Sequence, residues 1–206
     1  MQRSVTVLNE KNVAHEIEYI DLRNKPEWFL AISPTGRVPV VQTPDGDTLF
    51  ESAVINEYFD EVHEPRFLPD TPIERAKERM WMDFITGLYG DAFRLYNAAD
   101  EGAADTAFEG AKQKLAKLEE EIDGPLFNGE EFSLVDATAA PPFMRLNWVA
   151  QITPKYDAFA DAPKSRTWKD ALLARQSVKD GVLPNLHEIF LESVQKKDGY
   201  LAGFLA

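Results

Sequence analysis

The stretch NKPEWFLAISPTGRVPVVQTPDGDTLFESAVINEYFDE, residues 24–61, decides the fold of this chain. It holds two short β-rich runs, at positions 38–42 and 48–50, on either side of the turn sequence PDG. An Asp-Gly pair between two such runs is typical of a β-hairpin. Helical patterns flank the hairpin, the first beginning at Pro26 and the second spanning residues 51–61. The order helix, hairpin, helix predicts a small α/β domain.

The residues before this stretch extend the same domain. Residues 2–11 carry the amphipathic spacing of a helix, with no capping residue in front of it. His15, Ile17 and Tyr19 then alternate with two glutamates, which is the period of a β-strand. We therefore expect a strand over residues 15–20.

A proline-rich break separates this region from the rest of the chain. Pro65, Pro69 and Pro72 lie within eight residues of each other, a composition typical of a linker. Beyond the break, apolar residues recur at spacings of three and four, which is the pattern of amphipathic helices. We expect two domains, a small mixed domain at residues 1–68 and an all-α domain at residues 72–206.

The clearest helix start in the second domain is EFSLVDAT, residues 131–138. Ser133 followed three positions later by Asp136 is a capping-box pattern, and it predicts a helix over residues 134–152. Two more helices are expected, over residues 167–175 and 183–194. We assign the Ser133 and Asp136 pair a role in folding.

Composition excludes several classes of protein. The chain of 206 residues has a net charge of −13, which would repel a nucleic-acid backbone. It contains no cysteine, so these residues offer no disulfide, thiolate metal site or thiol nucleophile. Neither a signal peptide nor an apolar run long enough to span a bilayer is present. We expect a cytoplasmic protein with no nucleic-acid or membrane partner.

The sequence motifs of common enzyme classes are also missing. There is no P-loop, no G-x-G-x-x-G and no G-x-S-x-G motif. His15, His63 and His187 are too far apart in sequence to form a metal-binding pair, so no metal is expected. The many carboxylates would allow a hydrolase built on a carboxylate pair, but no spacing points to one.

Two residues of the opening stretch, Pro39 and Ser52, can each be interpreted either as purely structural or as part of a ligand site. Pro39 interrupts a β-rich run, which fits either a simple edge strand or a cis bond after Val38. A cis bond would turn the Val38 backbone outward to pair with a peptide-like ligand. Ser52 is either a plain helix N-cap, worth about 1 kcal/mol, or a hydroxyl that holds a ligand carboxylate at a helix start.

Residues 24–61 as a whole resemble the glutathione-binding half of a cytosolic glutathione transferase, closest to the omega class and its bacterial relatives. The segment EFSLVDATAAPPFMRL, residues 131–146, is similar to the capping-box helix of the same superfamily. The resemblance implies an α/β thioredoxin-like N-terminal domain, an all-α C-terminal domain and usually a homodimer.

The resemblance also implies a site for glutathione as co-substrate. Lys25 would meet its glycine carboxylate, and Val38, ahead of cis-Pro39, would pair with its cysteinyl backbone. Glu51 and Ser52 would hold the γ-glutamyl end. The residue types agree with this ligand, which needs a cation, a strand-like backbone and a helix start that favours anions. Arg145 would line the pocket of the small electrophilic or disulfide acceptor, although a surface ion pair is an equal alternative.

The start of the chain departs from the omega pattern. Omega-like proteins open with a strand and a C-P-[FY]-x-Q-R turn that carries the catalytic cysteine, whereas this sequence begins MQR. Met1 then takes the x position, and we expect the strand and the cysteine to lie upstream of it. That strand would run between residues 15–20 and 38–42, and its loss leaves a gap of about 9–10 Å. A misplaced start codon or a shortened chain is favoured over a rearranged sheet.

Two functions follow. The first is an omega-like enzyme of glutathione-dependent thiol transfer, reduction or conjugation, in which a restored cysteine would act through a mixed disulfide. The second is a non-catalytic interaction protein with the transferase fold, of the stringent-starvation type. The presence of Lys25, Val38-Pro39 and Glu51-Ser52 together favours the protein that binds glutathione.

Overall fold

Helices dominate both parts of the chain, and one hairpin interrupts them. A computed structural model describes residues 1–205. In chain order the elements are α1 (Gln2–Glu10), α2 (Glu27–Ile32), β1 (Val40–Gln42), β2 (Thr48–Phe50), α3 (Ser52–Val62), α4 (Pro72–Tyr96), α5 (Glu101–Glu119), α6 (Leu134–Ile152), α7 (Pro163–Ala174), α8 (Gln176–Lys179) and α9 (Leu186–Lys197). Short 3₁₀ helices at Pro154–Tyr156 and Tyr200–Phe204 complete the order.

The hairpin forms where the PDG turn predicts it. β1 and β2 are antiparallel, with Val41 opposite Leu49 at the centre of the register. The turn closes through the amide of Thr43, which donates to the carbonyl of Asp47 over 2.9 Å. Gly46 supplies the positive φ, +93°, that a side chain would disfavour there. Together with α1, α2 and α3, this small sheet makes the α/β part of the chain.

The prediction of a strand over residues 15–20 is wrong. These residues have no regular secondary structure, and within residues 1–205 β1 pairs only with β2. Ile17 and Tyr19 are 36% and 48% exposed. An alternating pattern specifies which side of a segment is apolar, but a strand also needs a neighbour for its N–H and C=O groups. No described segment supplies that neighbour here.

The helical part is built around α4, α5 and α6, and its core is fully buried. Its expected helix over residues 134–152 is confirmed to the residue by α6, whereas α7 and α9 are displaced by a few residues from the predicted ranges. The largest side chains that lose nearly all contact with water include Ile85, Leu115, Phe143, Leu146 and Trp168. Within residues 1–205, no helix combines the length and apolar character needed to cross a bilayer.

A buried ion pair fixes the proline-rich break to the first part of the chain. The Lys11 ammonium lies 2.9 Å from the Asp60 carboxylate, and both side chains are almost completely buried. Asp60 accepts hydrogen bonds from the amides of Phe67 and Leu68, over 2.7 and 3.0 Å. Lys11 also donates to the carbonyl of His63. Residues 63–68 are therefore held against α1 and α3 by charge-assisted hydrogen bonds.

The capping box at the start of α6 is confirmed and extends beyond the helix. Asp136 accepts hydrogen bonds from both the amide and the hydroxyl of Ser133, over 2.8 and 2.7 Å. It also accepts from the amide of Phe127 over 3.0 Å and from the indole N–H of Trp168 over 2.6 Å. One buried carboxylate thus joins the α5–α6 loop, α6 and α7.

Replacing Asp136 with asparagine is expected to lower the free energy of unfolding by about 3 kcal/mol, because the amide NH₂ must face donors that the carboxylate accepted. Urea denaturation measures the loss. Asp100→Asn is the matched control: Asp100 caps the exposed start of α5 through the amide of Ala103, and asparagine is an equally good cap. Equal losses in the two variants would contradict the assigned role of Asp136.

A second buried carboxylate predicts a pH-dependent stability. Glu78 on α4 is 6% exposed, and burial, opposed by a hydrogen bond from Asn128, raises its pKa to about 7. Nearby Asp136 and Asp60 raise the pKa further. Because the folded chain binds the Glu78 proton more tightly than the unfolded chain, stability from this group is present below about pH 4.5 and is lost as pH rises to about 7.

Glu78→Gln keeps a neutral acceptor for Asn128 and removes the titration. We expect this variant to exceed the wild type in free energy of unfolding at pH 8 by roughly 2 kcal/mol, with little difference at pH 4.5. Urea denaturation across this range gives the comparison. Glu109→Gln, at an exposed position of α5, should follow the wild type throughout. A constant offset between Glu78→Gln and the wild type at all pH values would show that Glu78 does not titrate as described.

Candidate functional site

A cavity of about 440 Å³ lies where the two parts of the chain meet. α1, α4 and α6 contribute to its wall, together with Tyr19, Val38, the first residues of α3 and α9, and residues 181–183. The lining residues are Met1, Gln2, Arg3, Tyr19, Val38, Ser52, Thr86, Tyr89, Thr138, Pro141, Pro142, Arg145, Gly181, Val182, Leu183 and Leu186. Three residues of the predicted site, Val38, Ser52 and Arg145, are therefore brought together.

Ser52 contacts Arg3 at the start of α3. Glu51 is the N-cap of this helix and Ser52 its first residue, and the cap makes no side-chain hydrogen bond. The interpretation of Ser52 as a plain N-cap is therefore wrong. The Ser52 hydroxyl oxygen instead accepts a hydrogen bond of 2.7 Å from the Nε of Arg3.

The Arg3–Ser52 contact suits the binding of an anion. Because the hydroxyl oxygen is used as an acceptor, its own proton remains available to a ligand oxygen. Burial lowers the pKa of Arg3, with the nearby Glu51 acting in the opposite direction, and an arginine stays protonated in any protein environment. A positive charge and a hydroxyl donor thus lie at the N-terminus of a helix, the end that favours negative charge.

Glu51 has an unusual backbone conformation, with φ +66° and ψ +110°. Such values are rare for a residue other than glycine and cost of order 1–3 kcal/mol. Local strain of this kind is found at ligand sites, where the surrounding structure enforces it. The positive φ fixes the direction in which the chain enters α3, directly before Ser52.

The Val38–Pro39 peptide bond is cis, which is what the interpretation of Pro39 as part of a ligand site requires. β1 begins only at Val40, so Val38 lies outside the ladder. Within the described residues, neither the N–H nor the C=O of Val38 makes a hydrogen bond. Val38 lines the cavity, whereas Pro39 lines a neighbouring cavity next to residues 15–20. A free backbone donor and acceptor are thus available beside Ser52.

Two other predicted residues lie outside the lining of this cavity. Lys25 is exposed and lies beside Gly36, where a β-carbon added to the glycine would be 3.5 Å from the Lys25 Nζ. Glu51 is exposed next to Ser52. The structure therefore brings Val38, Ser52 and Arg145 to one cavity, and places Lys25 and Glu51 nearby but outside its wall.

Arg145 enters the cavity from α6. Its Nη1 donates to the amide oxygen of Gln2 and, over 3.4 Å, to the carbonyl of Pro141. Its guanidinium carbon lies 5.3 Å from the ring centre of Trp148. Burial lowers the pKa of Arg145. The alternative of a surface ion pair is wrong, because no carboxylate within residues 1–205 lies within 4.0 Å of this guanidinium.

Sequence reasoning missed Arg3, Tyr89 and Thr86 as parts of the site. Arg3 offered a signal, because it is the one Lys or Arg among residues 2–10. Tyr89 and Thr86 gave none, since their place on the wall follows from how α4 packs against α6. In the part of the chain that the structure describes, no group of three His, Asp or Glu side chains is arranged to hold a metal ion.

Family models and known relatives match most of the chain. The family model "Glutathione S-transferase, N-terminal domain" matches residues 1–62, and "Glutathione S-transferase, C-terminal domain" matches residues 78–176. Glutathione S-transferase omega-1 of Sus scrofa is 30% identical over 190 residues, which cover 90% of this chain and 75% of that protein. The probable cytosolic glutathione S-transferase DHAR1 of Oryza sativa subsp. japonica is 31% identical over 178 residues, 85% of this chain and 79% of that protein.

A solved structure extends the likeness to three dimensions. Glutathione transferase Omega 3C from Trametes versicolor superposes with a TM-score of 0.79 at 29% identity, over 88% of this chain and 83% of that one. Two matching domain models, relatives of the omega class in sequence and an omega neighbour in structure point the same way. The chain belongs to the glutathione S-transferase family and is omega-like within it.

Proposed function

We propose that this protein binds glutathione in the cavity described above and transfers it to a small electrophilic or disulfide acceptor. The observation that carries the proposal is the Arg3–Ser52 contact at the start of α3, beside the unpaired backbone of Val38. It combines a site for a carboxylate with a short strand-like edge in one cavity. Glutathione, a small peptide with two carboxylates, presents both features that this arrangement recognises.

Each part of glutathione has a matching group. The γ-glutamyl carboxylate binds the Ser52 hydroxyl and Arg3, and its ammonium group lies towards the Glu51 carboxylate. The cysteinyl residue pairs its N–H and C=O with those of Val38, as an added strand would. Lys25, which is exposed and long, reaches over Gly36 to the glycine carboxylate.

The sulfur in this proposal is that of glutathione itself. Loss of the thiol proton to solvent leaves a thiolate, which the positive charge of Arg3 and the helix N-terminus stabilise. The thiolate then bonds to an electrophilic carbon as the leaving group departs with its electron pair, or to one sulfur of a disulfide as the other leaves as a thiolate.

Calorimetric titration with glutathione tests the binding site. We expect Ser52→Ala to weaken the affinity about tenfold, because it removes a charge-assisted hydrogen bond. Thr71→Ala is the matched control: it removes the hydroxyl that caps α4 through the amide of Glu74, far from the cavity lining. A protein that binds no glutathione, or a Ser52→Ala variant with wild-type affinity, would contradict the proposed site.

Turnover separates the enzyme from the interaction protein. The wild type is assayed with glutathione and an aryl halide for conjugation, and with glutathione and a small disulfide for thiol transfer. Turnover that falls in Ser52→Ala supports the enzyme. Glutathione binding with no turnover of either acceptor would favour the non-catalytic interaction protein of the stringent-starvation type.

We also propose a homodimer, formed through an apolar patch of Val54 and Met80. These side chains, on α3 and α4, are each 55% exposed. They lie close to the two-pronged ion pair between Glu57 and Arg79 that joins the two helices. Burying such side chains against a second copy would remove apolar surface from water.

Light scattering after size exclusion tests the dimer. The wild type should have twice the mass of the 23.3 kDa chain, and a Val54→Glu, Met80→Glu double variant the mass of one chain. Ile189→Glu, on the exposed face of α9, should leave the mass unchanged. A wild type of single mass, or a double variant that stays dimeric, would overturn the assignment of this patch.

Two further expectations stay proposals. The domain division at residues 1–68 and 72–206 is supported by the family models, which end at residue 62 and begin again at residue 78. It is also supported by the hydrogen bonds that tie residues 67 and 68 to Asp60. A cytoplasmic location is supported by the rice relative, whose name describes it as cytosolic.

A further inference from the structure

We infer that the acceptor substrate carries a carboxylate on an apolar body, and that Arg145 binds this carboxylate. The inference rests on the proposed function and names the class of acceptor that the same cavity takes. Three observations carry it: the charge balance of the cavity wall, the unused donors of Arg145 and the apolar surface around them.

The cavity is positive within an acidic protein. The chain has 35 Asp and Glu residues against 22 Lys and Arg, yet the described lining of this cavity contains Arg3 and Arg145 and no carboxylate. Arg3 is compensated, because it binds Ser52 and lies near Glu51. Arg145 is not, because its hydrogen-bond partners are the Gln2 amide oxygen, the Pro141 carbonyl and the Met144 sulfur, none of which is a carboxylate.

Arg145 keeps donors for a ligand. Its hydrogen bonds to Gln2, Pro141 and Met144 all come from Nη1. Its Nε and Nη2 bind nothing in the described residues, and neither is among the buried nitrogen atoms that lack a partner. Both therefore remain accessible from the cavity. Two adjacent N–H donors of a planar guanidinium match the two oxygens of a carboxylate.

The position of Arg145 is also held in place. Gln2 accepts from Nη1 while its own amide donates to the sulfur of Met144, and the ring of Trp148 packs near the guanidinium. A half-buried arginine with fixed geometry and no acid partner carries a desolvation cost that an anionic ligand offsets. Beside it, Pro141, Val182, Leu183 and Leu186 form an apolar wall. The site thus fits a carboxylate joined to an apolar group.

The test compares two ligands of the same shape, 4-phenylbutanoate and its uncharged primary amide, by calorimetric titration of the wild type. Titrations are made with and without saturating S-methylglutathione. The carboxylate should bind at least tenfold more tightly than the amide. Arg145→Gln should abolish this preference. Arg145→Lys should retain part of it, because lysine keeps the positive charge but lacks the paired N–H donors of the guanidinium. Arg166→Gln, which breaks a half-buried pair with Asp157 outside the cavity lining, is the control and should keep the full preference.

Equal affinity of the two ligands for the wild type would overturn the inference, as would a preference that persists in Arg145→Gln. The wild-type comparison stands even where Arg145→Gln fails to fold. Failure of the proposed function is recognised separately, because S-methylglutathione would then not bind. Arg145→Gln should leave glutathione affinity within about twofold, since Ser52 and Arg3 hold the γ-glutamyl carboxylate. A tenfold loss of glutathione affinity would assign Arg145 to glutathione and overturn the inference.

Discussion

The buried carboxylate of Asp136 is the interaction on which the rest of the helical part depends. Burial raises the pKa of this group, and four donors from Phe127, Ser133 and Trp168 surround it. An uncompensated charge at this depth would be costly, so the three segments that supply the donors must keep their relative positions. α6 begins at this point, and every residue that α6 presents to the cavity, Arg145 included, depends on where it begins.

The Lys11–Asp60 pair plays the corresponding part in the α/β region. It ties α1 to α3 and to the residues that lead into α4. Arg3 lies two turns before Lys11 on α1, and Ser52 two turns before Asp60 on α3. Fixing one end of both helices therefore fixes the contact between Arg3 and Ser52 at the other. The two buried polar clusters thus position the two sides of one cavity.

The cavity wall carries two arginines, although the protein as a whole has a net charge of −13. Long-range attraction of an anion is therefore weak, and recognition depends on short contacts in a partly dry site, where charge-assisted hydrogen bonds are strongest. Glutathione and a carboxylate acceptor would both bring negative charge to the cavity. Under the proposed assignments, Arg3 beside Ser52 and Arg145 beside the apolar wall would each serve one ligand, and both ligands could then bind at once.

Local chemistry in the sequence was enough for several elements. The PDG turn specified the hairpin, and the Ser133–Asp136 spacing specified the first residue of α6, because turns and caps are formed by residues close together in the chain. The strand expected over residues 15–20 failed for the opposite reason. Its alternation was present, but a strand is completed only by a neighbour, and such a neighbour is a matter of tertiary structure.

The sequence by itself determined the family and named candidate site residues, because both rest on local motifs, but it left Pro39 open between a simple edge strand and a cis bond. Only the tertiary structure decided which partners those residues meet. Ser52 could have been a helix cap, and the approach of Arg3 from 49 positions away made it a partner of a cation instead. Arg145 could have been in a surface ion pair, and the packing of α6 against α1 and α4 left it half-buried without an acid partner. Contacts between distant segments set charge and burial, and no local pattern encodes them.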